Sequence, residues 1–185
     1  QLLALHDRSP QPLALVLLLH GLGGHSDREG LRRMGLALQA AGFSVLRLNL
    51  RGAGKGRALA QGTYAAHCNR DLWPVLACAR QLAAGRPLFG AGISLGGTIL
   101  LNACLEQPDA LDGLVCTSSP LDLAACSASI ERPRNRIYQR WLMRRLVAQT
   151  LQDDSSVTAA ERQGLQQVQT IRDFDCLLYT SPSPR

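Results

Sequence analysis

The sequence has no C-x-x-C pair and no spacing of Cys and His that would hold zinc, although six cysteines stand at 68, 78, 104, 116, 126 and 176. They read as reduced thiols, several of them small buried hydrophobes. Aromatic residues make up only 4% of the chain and none interleave with basic ones in an array, so the net charge of +6 does not read as a nucleic-acid surface. That charge comes largely from arginines. Arg132, Arg134, Arg136, Arg140, Arg144 and Arg145 cluster around apolar Ile137, Trp141, Leu142 and Leu146 at helical spacing, which reads as the solvated face of an amphipathic helix. There is no long hydrophobic run either: ALVLLL, Ala14 to Leu19, is far shorter than the roughly 20 residues of a bilayer span. No leader pattern opens the chain, and it starts without Met inside a possible strand, QLLAL, so the amino terminus reads as cut from a soluble, cytoplasmic protein.

What is present is ample apolar material. With 185 residues, 46% of them hydrophobic, the chain fits one domain with a substantial core. LALVLLL, Leu13 to Leu19, is a continuous apolar run that suits a strand buried on both faces of a parallel sheet. Leu31 to Gly42 reads as a helix capped by Asp27 and closed by Gly42, and FSVLRLNL, Phe43 to Leu50, as the next strand. A glycine-rich loop, Arg51 to Thr63, leads to a helix over Leu72 to Ala84 with Asn69 as its cap and Pro74 in its first turn. Pro87 to Ile93 is a strand, Leu95 to Gln107 a helix, and Leu111 to Pro120 a strand ending in a loop. Alternating strands and right-handed crossovers predict an α/β, doubly wound, mostly parallel sheet with helices on both faces. From Leu121 to about Gln169 the pattern is helical throughout.

Two glycine strings invite a phosphate site. Gly90, Gly92 and Gly96 fit a loose dinucleotide pattern, yet the following strand ends in Thr117, Ser118 and Ser119 with no acid for a ribose. GAGKG, Gly52 to Gly56, lacks the first glycine of a P-loop and the Ser or Thr after Lys55 that would hold magnesium. Nucleotide binding is therefore set aside.

Gly92-Ile93-Ser94-Leu95-Gly96 matches G-x-S-x-G between a strand and a helix, the context in which that short pattern holds a nucleophilic serine. A serine on so sharp a turn sits at strained backbone angles, and only glycines two before and two after avoid clashing with it. Its hydroxyl then stands clear at the carboxyl edge of the sheet, beside a helix N-terminus that favours negative charge. The tetrahedral intermediate of acyl transfer needs two N–H donors at its oxyanion. One is the N–H of Leu95. His20-Gly21-Leu22-Gly23-Gly24, at the end of the first long strand, is placed to give the other, that of Leu22. Gly21, Gly92 and Gly96 are the supporting turn glycines.

HGLGG at His20 to Gly24, RLNLRGAGKG at Arg47 to Gly56, the Tyr64, His67 and Asp71 region, GISLGG at Gly92 to Gly97, SSPLDLAAC at Ser118 to Cys126, NRIYQRWLMRRL at Asn135 to Leu146 and IRDFD at Ile171 to Asp175 occur in that order. In this series the chain resembles the YheT-like branch of the α/β-hydrolase superfamily over nearly its whole length. The resemblance implies a serine hydrolase of carboxylic esters, of esterase or lipase type, with an ester or lipid substrate and no cofactor. It implies a core over residues 1–120, a helical cap segment over 121–175 inserted after the fourth main strand, and final strands, bearing the triad's Asp and then its His, that this chain lacks. CLLYTSPSPR, Cys176 to Arg185, reads instead as a translated sequencing-library adapter, a non-native tail.

The histidines agree with that expectation. His6, His20, His25 and His67 all precede Ser94, whereas this fold orders its triad Ser, then acid, then His. Asp122 is a weak candidate for the acid, since the family places its acid later. A catalytically inactive α/β-hydrolase-like module that binds a ligand or partner stands as the alternative.

Overall fold

In the computed structural model, which describes residues 1–60, 62–152 and 157–179, the chain divides into two compact units, Gln1–Ser119 and Pro120–Arg185. The first unit holds five strands: β1 (Ala4–Asp7), β2 (Leu15–Leu19), β3 (Ser44–Leu48), β4 (Leu88–Ile93) and β5 (Gly113–Thr117). Their order across the sheet is β1-β3-β2-β4-β5, with β1 antiparallel to β3 and the other four parallel. This is the mostly parallel α/β sheet expected from the alternating pattern.

The central strand shows why a continuous apolar run was needed. Leu15, Leu17 and Leu19 of β2 pack with Leu72, Leu76 and Ala79 of helix α2 (Leu72–Ala83) and Ile99, Leu100 and Ala103 of α3 (Leu95–Glu106). Leu18 points the other way, onto Leu31 and Met34 of α1 (Glu29–Ala40). Because successive side chains alternate across a strand, a strand covered by helices on both faces must be apolar at every position. All five residues of β2 are accordingly buried.

Two helix starts differ from expectation. Asp27 does not cap α1, whose N-cap is Arg28 without a side-chain bond; Asp27 pairs instead with Lys55 at 3.1 Å and Arg47 at 3.7 Å. Asn69 lies in a short 3-10 turn ahead of α2 and donates to Glu106 Oε1 at 2.8 Å. In both cases a charged partner distant in sequence took the side chain that local spacing assigned to a cap. The end of α1 is as expected: Gly42, at φ +91°, closes it, with Gly42 N–H on Gln39 O and Phe43 N–H on Leu38 O, both at 3.0 Å.

In the second unit the described elements are all helical: α4 (Leu123–Ile130), α5 (Arg136–Thr150), α6 (Ala159–Leu165) and α7 (Ile171–Tyr179). Asp122 caps α4, its Oδ1 accepting from Ala125 N–H at 2.9 Å. On α5, Leu142 and Leu146 are buried, but Ile137 is 85% and Trp141 45% exposed. The four therefore do not form one apolar face. At 100° per residue, 137 and 141 fall on one side and 142 and 146 nearly opposite, and Met143 completes the buried side. Tyr138 stacks on Trp141 with ring centroids 5.7 Å apart, and the Arg145 guanidinium lies 5.2 Å from the Trp141 ring. Helix α7 runs without a break past Cys176, burying Phe174 and Leu178 one turn apart. Residues 180–185 of the expected tail lie outside the described residues.

Candidate active site

The parallel strands end at one edge of the sheet, and register fixes what meets there. Leu19 lies opposite Gly92 and Ile93 opposite Thr117, so the chain leaving β2 and the chain leaving β4 emerge side by side. Ser94 follows β4 directly and precedes α3, with φ +51° and ψ −125°, a conformation that a residue with a Cβ adopts only under constraint. The constraint is visible: Ser94 N–H donates to Thr117 O at 2.8 Å, and Ser94 O accepts from Gly97 N–H at 2.9 Å.

Contact geometry explains the two flanking glycines. A Cβ on Gly92 would fall 2.4 Å from Gly97 Cα, and one on Gly96 would fall 2.4 Å from His20 O and 2.9 Å from Leu19 O. These are backbone atoms, and neither contact can open without shifting α3 against the strand beside it. A Gly96→Ala substitution should therefore lower the stability of the chain by about 1–3 kcal/mol, as overpacking does, or more. A urea midpoint unchanged from that of the parent would contradict this account.

The same approach joins the two glycine motifs. A Cβ on Gly21 would stand 2.9 Å from Ser94 Cβ and 3.6 Å from Ser94 Oγ, so the Gly21 backbone borders the candidate nucleophile. Leu22 is the next residue of this loop. Leu95 opens α3, and the first N–H groups of a helix have no acceptor within it. Their partial positive charge favours an anion formed beside Ser94.

The loop after β2 is held by buried polar groups, most of them carried by β3 and the residues after it. Asn49, 1% exposed, accepts from Ser26 N–H at 2.9 Å and donates to Ser26 Oγ at 2.8 Å. Arg47 forms a two-bond pair with Asp7, at 2.6 and 3.0 Å, and donates to Ser26 O at 2.6 Å. Asp27 is held below the ordinary carboxylate range, chiefly by its hydrogen bond with Lys55.

His20 is 2% exposed, with Nδ1 2.9 Å from Gly21 O and Nε2 3.2 Å from Leu50 N–H. The ring must be neutral, Nδ1 donating and Nε2 accepting, and burial lowers its pKa to about 4. The unfolded chain thus binds the extra proton more readily than the folded one. Stability from this group is complete above about pH 6.5 and declines as pH falls toward about 4, by on the order of 3 kcal/mol at 1.36 kcal/mol per unit. His20→Gln should flatten that part of the profile; urea midpoints at pH 7 and 4.5 that fall equally in parent and variant would refute it.

None of the other histidines is placed as a partner of Ser94. His6 lies on β1, separated from β4 by β3 and β2. His25 packs against Gly54 in the loop after β3, and His67 stands at the head of the short turn before α2. Asp122 is engaged as a helix cap. Among the described residues no group of three or more His, Cys, Asp and Glu could hold a metal ion, and no helix is long and apolar enough to cross a membrane.

A family model described as Hydrolase_4, serine aminopeptidase, S33, matches residues 10–174. Among curated proteins, Phospholipase ABHD3 of Mus musculus is 27% identical over 173 residues, covering 91% of this chain and 42% of its own length. Putative esterase YheT of Escherichia coli is 27% identical over 171 residues, covering 88% of this chain and 49% of its own. The solved structure of Est1E from Butyrivibrio proteoclasticus with ferulic acid bound superposes with a TM-score of 0.57 at 24% identity, over 70% of this chain and 51% of that one. The chain thus spans about half, or less, of the length of the relatives it matches.

Proposed function

The chain belongs to the Hydrolase_4 family of α/β-hydrolases, and from that premise we propose that it is the nucleophile-bearing part of a serine esterase or lipase. Ser94 is the nucleophile, and the N–H groups of Leu22 and Leu95 form the oxyanion hole. The observation that carries this proposal is Ser94 at φ +51° on a strand-to-helix turn, with Gly21 backbone against it and glycine at both positions where a Cβ would strike backbone. A serine with no chemical task would gain nothing from that strain.

The chemistry follows from the placement. Ser94 Oγ attacks the carbonyl carbon of the ester, and the carbonyl oxygen takes the negative charge between the two backbone donors. One such donor is worth about 2.7–4 kcal/mol of barrier. The proton of Ser94 must pass to a histidine, later returned to the leaving alcohol, and none of the four histidines here serves. We assign that base, and the acid that orients it, to residues outside these 185. A phospholipase and an esterase among the relatives favour a lipid-type carboxylic ester as substrate. The arginine-rich helix α5 is assigned no nucleic-acid role.

The test uses an extended protein, in which residues 1–175 run on into the acid and histidine that the family places later. A fluorophosphonate probe should label it once, on the peptide containing Ser94, and should leave its Ser94→Ala variant unlabelled. Labelling elsewhere, or equal labelling of both, would assign the nucleophile to another residue.

A further inference from the structure

Tyr64 stands 42 residues beyond Leu22 in the chain, yet its hydroxyl sits between the two neighbours of Leu22. The side chain is 2% exposed. Its Oη accepts from Gly23 N–H at 2.6 Å and donates to Gly21 O at 3.2 Å, and its ring meets that of His20 edge-on at 5.4 Å. Gly21 O also accepts from Gly24 N–H at 3.0 Å and lies 2.9 Å from His20 Nδ1. Three donors thus converge on a single carbonyl oxygen.

A trans peptide unit holds its C=O and N–H in one plane, pointing in opposite directions. Among the described residues there is no cis peptide, so pinning Gly21 O inward turns the Leu22 N–H outward, on the side away from the three donors. Donors that pull on a carbonyl also make the N–H of the same amide a stronger donor. The hydroxyl fixes the next unit as well, through Gly23 N–H. We propose that Tyr64 is a positioning residue that aims and polarises the Leu22 N–H through the Gly21 carbonyl, an inference that rests on the serine-hydrolase assignment of the same site. Its hydroxyl donates to Gly21 O, and it is through this loop contact that it acts.

Tyr64→Phe in the extended protein keeps the ring, its burial and its contact with His20, and removes only the hydroxyl. Loss of a whole oxyanion donor costs about 10²–10³ in kcat; a donor left present but poorly aimed should cost about 10- to 100-fold. KM for a short-chain aryl ester should stay within about threefold, because the donor gains most of its strength when charge develops on the oxygen. Fluorophosphonate labelling of Ser94 should slow by a similar factor, since the phosphonyl oxygen enters the same hole. Replacement by 4-aminophenylalanine, which restores a para donor and acceptor of lesser strength, should give a rate between those of Tyr64→Phe and the parent. A Tyr64→Phe protein with a lower melting temperature but unchanged kcat per folded molecule would show a merely structural role and overturn the proposal. Should Tyr64→Phe not fold, tyrosine is compared directly with 4-aminophenylalanine, whose weaker donor predicts several-fold slower labelling; equal rates overturn it. If the parent is not labelled at Ser94 at all, the serine-hydrolase assignment itself has failed, which is a different result.

Discussion

Ser94→Ala in the extended protein should lower turnover of a short-chain aryl ester by on the order of 10⁴-fold or more, with folding retained. The size follows from triad residues acting as a unit: once the nucleophile is gone, the histidine and its acid have nothing to activate. Folding should survive for a structural reason. The constraint at φ +51° falls on the Cβ, which alanine shares, and the bonds that hold the turn, to Thr117 O and from Gly97 N–H, involve only the backbone of residue 94. Gly96→Ala inverts that pattern, because its added Cβ meets His20 O. The pair separates chemistry from architecture: one variant folded and inert, the other destabilised. A folded Ser94→Ala protein that keeps most of its activity would remove Ser94 from the mechanism.

The strands and the serine turn were legible in the sequence because each depends on neighbours in sequence. A strand flanked on both faces has to be apolar throughout, as Leu15 to Leu19 is, and a serine held at positive φ needs glycine two residues away on either side. Local spacing misassigned the caps, since Asp27 and Asn69 found partners at Lys55 and Glu106 that no short pattern links to them. It also merged two sides of α5, where Ile137 and Trp141 share a spacing with Leu142 and Leu146 but not a direction. Tyr64 was visible only as part of a resembling stretch. Its role depends on two bonds spanning more than 40 residues, from Tyr64 to Gly21 and Gly23. The only sequence signal available was an aromatic residue with a polar tip after a glycine-rich loop, which identifies no partner.

The 185 residues alone should hydrolyse the same aryl ester at least about 10³-fold more slowly than the extended protein. A serine hydroxyl is a weak nucleophile near neutral pH and needs a base that takes its proton. His20 cannot be that base: Nδ1 faces Gly21 O, Nε2 faces Leu50 N–H, and its pKa of about 4 leaves it a poor proton acceptor. His6 is two strands removed from β4, His25 packs beside Gly54, and His67 heads the turn before α2. What remains is the proposed oxyanion hole; such a hole without a working triad still leaves catalysis of about 10³–10⁴ over water in other serine hydrolases. Turnover should accordingly be small but above background, and it should fall further with Tyr64→Phe, because the hole is then the whole of the catalytic apparatus. Fluorophosphonate labelling of Ser94 should be slow in the same proportion. If the 185 residues match the extended protein in turnover, a base among them suffices, and the assignment of the histidine to residues outside this chain is wrong.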